Sequence, residues 1–180
     1  MEHNQLAPGR LEIIRTFLNT WEIPNDTREP IDQLKDEKYL TIFIKENFSS
    51  IDFNSANLDE LFQFRNDIRK SIEHGELELL NVWLLKKPLH VVISNQNMLQ
   101  YAPVKEHDII YEMLQIIVES IGLNQWHRLK ACPDCKWVFY DYSKNGSKRW
   151  CGMYAGNPKG RACGTIAKVK RYREKNKKTL

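Results

Sequence analysis

All four cysteines of this 180-residue chain fall within 32 residues, spaced Cys132-x2-Cys135-x15-Cys151-x11-Cys163. A Cys-x2-Cys turn lets two thiolates converge on one ion, and a tetrahedral structural zinc needs two more ligands, which the second pair supplies. The segment around them is poor in aliphatic residues, so its own core is too small to hold it folded; metal binding supplies roughly 10 kcal/mol or more. Four thiolates close the coordination shell and weaken the ion as a Lewis acid, so one structural zinc is expected on Cys132, Cys135, Cys151 and Cys163, and not a catalytic one. His127 is the substitute ligand if Cys163 lies too far away. Packing cysteines and a redox pair are the competing readings.

The charge is distributed as unevenly as the cysteines. From Arg128 to the end there are 15 Lys and Arg against 3 Asp and Glu, whereas the first 127 residues hold 12 against 20. A net +12 on a small cysteine-bearing unit points to a polyanionic partner, and a net −8 on the remainder points to something else. Lys144, Lys148 and Arg149 lie between the cysteine pairs, and "GTIAKVKRYREKNKK" after Cys163 reads as a basic helix carrying Lys168, Lys170, Arg171, Arg173 and Lys175. Thr165 is its expected cap, and Ile166, Val169 and Tyr172 form a narrow stripe expected to pack on the zinc unit. Such a helix suits phosphates and base edges. Trp137, Phe139, Tyr140 and Trp150 are either base-stacking platforms or, preferably, the small core around the metal.

Upstream the pattern is mainly helical. Leu11, Ile14, Leu18 and Trp21 recur at helical spacing; a second helix is expected from Pro30 through "IDQLKDEKYLTIFIKENF", with Tyr39, Phe43 and Phe48 as its buried edge. A third opens on Asn57 as cap, with Glu60 three residues on, and stops at Gly75. "LELLNVWLLK" makes a fourth, "LHVVIS" and "MLQYAPV" a small hairpin, and "HDIIYEMLQIIVESIG" a final helix. The expected fold is therefore α+β and mainly α. A helical domain with a β-hairpin (1–126) precedes a treble-clef-like or knuckle-type zinc finger with a C-terminal basic helix (127–180). The start lacks the pattern of a secretory signal and no apolar run is long enough to span a bilayer, so a cytoplasmic protein with no membrane partner is expected.

"CPDCKWVFYDYSKNGSKRWCGM" and the later "CGTIAKVKRYR" resemble the CGNR zinc-finger family of bacterial, stress-induced transcription regulators. Cys132, Cys135, Trp137, Phe139, Asp141, Ser143, Asn145, Ser147, Arg149, Trp150, Cys151 and Met153 follow its pattern, and Cys163 with Gly164 begins its name-giving motif; Thr165 and Ile166 replace the Asn and Arg. "LEIIRTFLNTWEIP", "LFQFRNDIRKSI" and "LNVWL" are similar to the ABATE domain that accompanies this finger. The resemblance implies a DNA-binding regulator with a ligand-sensing N-terminal domain. Asn19 and Thr20 then fall on a signature of that domain, with a side-chain-satisfied helix end as the alternative. Arg65 and Arg69 either line an anion pocket or pair with Asp67 and Glu73.

Double-stranded DNA is the expected partner, with RNA as the runner-up. An enzyme is the least favoured reading, because the chain lacks a glycine-rich phosphate loop and an HExxH motif. A small-molecule effector is implied by the resemblance, and a twofold DNA site would require a homodimer.

Overall fold

The computed structural model describes residues 6–24, 26–48, 57–104, 108–152 and 162–177. Six helices and three two-stranded antiparallel sheets are described there, an α+β and mainly helical fold. The chain runs α1 (Leu11–Leu18), β1 (Trp21–Glu22), β2 (Ile31–Asp32), a 3-10 turn (Gln33–Lys35), α2 (Glu37–Asn47), α3 (Leu58–His74) and α4 (Glu78–Lys86). It continues through β3 (Leu89–Ile93), β4 (Leu99–Pro103), α5 (Ile109–Gly122), a second 3-10 turn (Trp126–Arg128), β5 (Leu129–Ala131), β6 (Val138–Tyr140) and α6 (Cys163–Lys177). Among the described residues, no helix is long and apolar enough to cross a membrane.

The main core is where the inner stripes of α1, α2, α3 and α5 meet. Ile14, Phe17 and Leu18 pack with Leu40, Phe43 and Ile44, with Leu61, Phe64 and Ile68, and with Met113, Leu114 and Ile117. Trp83 of α4 closes one side edge-on against Phe64, its ring centroid 5.1 Å away, while its indole N–H donates to Asp67. The helix ends follow local chemistry. Asn57 accepts from the Glu60 N–H, and Gly75 adopts the left-handed conformation (φ 74°) that ends α3. Asp108 accepts from the N–H groups of Ile110 and Tyr111 at the start of α5.

The second helix starts later than its proline suggests. Ile31 and Asp32 pair with Glu22 and Trp21, and the helix begins at Glu37, where Asp36 accepts from the Lys38 and Tyr39 N–H groups. The reason is long-range: Asp32 is held by the buried guanidinium of Arg65 through two bonds of 2.7 Å, which fixes residues 31–32 as strand. Phe43 and Phe48 are buried as expected, with Tyr39 half-buried.

This pair makes stability depend on pH. Burial alone would raise the Asp32 pKa, but the Arg65 guanidinium, with the Leu34 N–H and Lys35, holds it below its ordinary value. A depressed carboxylate pKa contributes stability that is present above about pH 4 and lost as the pH falls through the folded value. The Tm difference between wild type and Asp32→Asn is thus expected at neutral pH and to narrow below about pH 4. A gap that stays constant through that range would show that the charge of Asp32 contributes nothing.

The last third is joined to the helices through β5 and β6. Leu129, Val138 and Tyr140 point into the main core, with Trp126 beside them. Phe139, between Val138 and Tyr140, points the other way and forms a second small core with the four cysteines, lined by Trp137 and Trp150.

Candidate metal centre and nucleic-acid interface

The β5–β6 hairpin is the frame of the metal centre. Its turn holds Cys132 and Cys135: the Cys132 N–H donates to the Trp137 carbonyl, the Lys136 N–H donates to the Cys132 carbonyl, and Lys136 takes a positive φ of 63°. This folding leaves both sulfurs in one cluster with those of Cys151 and Cys163. Cys151 arrives from the loop after β6, and Cys163 is the first residue of α6. Thr165, expected as the cap, therefore lies inside the first turn. Residues 153–161, between the last two cysteines, lie outside the described residues.

All four thiols are buried, and their sulfur atoms lie within 4.8 Å of one another. Cys151 Sγ is 3.4 Å from Cys135 Sγ and 3.9 Å from Cys163 Sγ. Four thiolates at the Zn–S bond length around a tetrahedral ion stand about 3.8 Å apart, so the donor set and its spacing fit zinc. Hydrogen bonds from the Cys135 and Cys151 thiols hold Cys132 far below its ordinary pKa. Cys151 is pushed up by its bonding to Cys132, and Cys163 by burial. Zinc takes cysteine as thiolate, so the ion displaces thiol protons when it binds. His127 is exposed and lies outside the cluster.

Gly164 has a steric reason: a Cβ there would meet the Trp150 ring at 3.3 Å. The α6 N-terminus is thereby laid flat on the indole. Beyond that first turn Val169 and Tyr172 are 42% and 68% exposed, so these two residues of the stripe expected to pack on the zinc unit stand in solvent instead. Among the described residues, α6 contributes Cys163 to the small core. The side chains of Ile166 and Lys175 lie outside the described residues.

Lys168, Lys170, Arg171 and Arg173 are all exposed. On a 3.6-residue period, Thr165, Val169, Tyr172 and Asn176 form an uncharged row. Lys168 and Arg171 flank that row on one side, Lys170 and Arg173 on the other, and Cys163, Ala167 and Glu174 lie opposite. Lys144 and Arg149 are exposed on the loop after β6, while Lys148 is half-buried with Nζ 5.5 Å over the Phe139 ring. Asp141 organises that loop from a fully buried position. It accepts from Lys130 Nζ and from the N–H groups of Ser143 and Lys148. Burial would raise its pKa, yet these donors hold it well below the usual carboxylate range. Its role carries no charge-pattern signal in the sequence. Phe139 and Tyr140 are buried, and Trp137 and Trp150 line the small core, which leaves them as packing and not as open stacking platforms.

Asn19, Thr20, Arg65 and Arg69, singled out as effector contacts, are buried and brought together by α1, β1 and α3. Thr20 donates to the Phe17 carbonyl, the satisfied helix end, and accepts from Arg65. Asn19 reaches the metal hairpin: its amide donates to the Val138 carbonyl at 2.8 Å and accepts from the Val138 N–H at 2.7 Å. Arg69 donates to three carbonyls, of Leu18 (2.6 Å), Trp21 (3.3 Å) and Lys136 (2.7 Å). Burial lowers its pKa to about 10, which leaves it charged at neutral pH. Glu73 stands 3.7 Å from Arg69 and 3.0 Å from Lys136, while Arg65 pairs with Asp32 and not with Asp67. Arg28 pairs with Asp134 inside the cysteine turn. These braces between the helices and the metal turn are invisible in the sequence, because each joins residues far apart in the chain.

No curated protein matches the chain. Residues 128–176, from just before β5 to the last turn of α6, match the family model of the CGNR zinc finger. The C-terminal segment is thus similar to a CGNR zinc finger, and its four buried cysteines are able to bind one zinc ion.

Proposed function

We propose that the chain is a DNA-binding regulator of the CGNR type: a binding protein and not an enzyme. In it a structural zinc holds α6 and the loop after β6 as the nucleic-acid surface. The observation that carries this reading is the exposed cationic surface of the finger: Lys144, Arg149, Lys168, Lys170, Arg171 and Arg173 all face solvent on a segment of net +12. Zinc would be held by Cys132, Cys135, Cys151 and Cys163, and its part is to fix the turn and the start of α6 relative to each other. The row of Thr165, Val169, Tyr172 and Asn176 between two basic flanks suits a groove. Uncharged side chains there would meet base edges while the flanking cations meet phosphates. Packing of the finger's tryptophans, Phe139 and Tyr140 in the interior favours duplex DNA over an RNA loop read by stacking.

The helical part is the effector-sensing element in this proposal. Asn19, Thr20, Arg65 and Arg69 enter it as the link through which sensing reaches the finger, since an effector that took over their hydrogen bonds would loosen the metal turn.

Duplex binding is expected to weaken steeply with salt, log K falling linearly with log salt at about 0.9 per phosphate contact. Replacing Lys170 and Arg173 together by Ala is expected to lower that slope by about 2. Titration of fluorescent duplex DNA, with structured RNA as competitor, measures both. Absence of binding to either at low salt would end the nucleic-acid reading; preference for RNA would redirect it.

A further inference from the structure

The β3–β4 hairpin carries an apolar face that none of the described residues covers fully. Its register places Leu89 opposite Pro103, Val91 opposite Tyr101 and Ile93 opposite Leu99, so all six residues share one face and none is polar apart from the tyrosine hydroxyl. The base of this face rests on the main core through Leu89. Its tip overhangs: Val91 is 59% exposed, Ile93 72% and Leu99 62%.

The edge beside it is equally open. β4 lies against α5, whereas β3 has no strand partner except β4 among the described residues. The Val104 N–H donates to the Pro88 carbonyl and the Ser94 N–H to the Met98 carbonyl, which sets the phase of the ladder. His90 and Val92 therefore turn their backbone groups toward β4, and Leu89, Val91 and Ile93 turn theirs outward. Natural edges are guarded by charge, proline or a bulge. From residue 88 to 104 there is no Asp, Glu, Lys or Arg, in a chain where such residues make up 28%.

We propose that the outer edge of β3 is a homodimer interface, formed with β3 of a second copy about a twofold axis at Val91. In that register Val91 faces its own symmetry mate and Leu89 faces Ile93, giving a four-stranded antiparallel sheet of order β4-β3-β3-β4. A second copy fits because the edge is self-complementary. No like charges meet across the axis, the outward N–H and C=O groups at Val91 are exchanged, and each overhanging Ile93 comes beside the Leu89 that rests on the other copy's core. Edge pairing brings the flanks of Leu89, Val91 and Ile93 of the two copies side by side without covering the whole face, a contact smaller than the roughly 800 Å² per partner of a standard interface, so a weak dimer that dissociates in the micromolar range is expected.

Analytical ultracentrifugation of the full zinc-loaded chain over micromolar concentrations tests this. Wild type is expected to move from monomer to dimer, Val91→Lys and Val91→Glu each to remain monomeric with an unchanged Tm, and an equal mixture of the two variants to regain a dimer. A wild type that stays monomeric throughout overturns the proposal, including the case in which a different protein covers this edge. So does a dimer that survives Val91→Lys, or two monomeric variants that fail to associate on mixing.

Discussion

Stripping the zinc from the finger is expected to unfold the cysteine turn, the loop after β6 and the first turn of α6, while β6, held in the main core by Val138 and Tyr140, stays protected with α3 and α5. Among the described residues, the small core contains Phe139, the half-buried rings of Trp137 and Trp150, and the cysteines themselves. Without a metal nothing ties the four cysteines to one point, and structural zinc contributes on the order of 10 kcal/mol to units of this kind. The main core, by contrast, draws on α1, α2, α3 and α5 and contains no metal ligand. Elemental analysis is expected to give one zinc per chain, and hydrogen exchange after chelation should show loss of protection confined to the finger. Cys163→Ser is expected to reproduce much of this effect, because it frees the start of α6 from the other three thiols. Retention of full protection after complete chelation would return the cysteines to packing.

Arg69→Leu carries the second large effect. The substitution removes the guanidinium donors to the Leu18, Trp21 and Lys136 carbonyls, and unsatisfied buried acceptors cost about 1–3 kcal/mol each. A total near 4 kcal/mol is expected, since the partly exposed Trp21 site can recruit water, and a chain of this length then loses on the order of 10 °C in Tm. Arg69→Lys keeps the charge but not the forked geometry and should fall between the two. Because Lys136 follows Cys135 directly, the Leu variant is also expected to release zinc faster to a chelator. A loss below about 1 kcal/mol would show that the three carbonyls are served as well by water.

Local signals in the sequence carry a good part of this architecture. The spacing of the cysteines, the Asn57 cap, the Gly75 stop and the apolar period of α5 each reflect interactions between residues a few positions apart, and each reappears in the fold. What escapes such reading is set at long range. Pro30 announces a helix start, but Arg65, 33 residues beyond Asp32, holds Asp32 in a strand. Val169 and Tyr172 have the spacing of a buried stripe, yet both stand exposed, and none of the described residues of the finger covers them. Asn19 belongs to a helix end by its position and to the metal turn by its bonds, a fact that becomes visible only when Val138 is brought beside it. Lys144, Arg149, Lys168, Lys170, Arg171 and Arg173 are exposed as the charge pattern suggests, Lys148 is half-buried, and their partner rests on the binding experiment.

The alternation along β6 has a consequence for anyone who would treat the finger as a portable cassette. Val138 and Tyr140 belong to one interior and Phe139 to another. A fragment cut away before β5 would carry the wet undersides of Leu129, Val138 and Tyr140, and the truncated helical part would be left with a hole of the same shape. Inserting or deleting a single residue in β6 would exchange the two sets of side chains outright. Grafting this finger onto another protein thus requires bringing α1 and α3 with it, or repainting three residues of the hairpin's inner side.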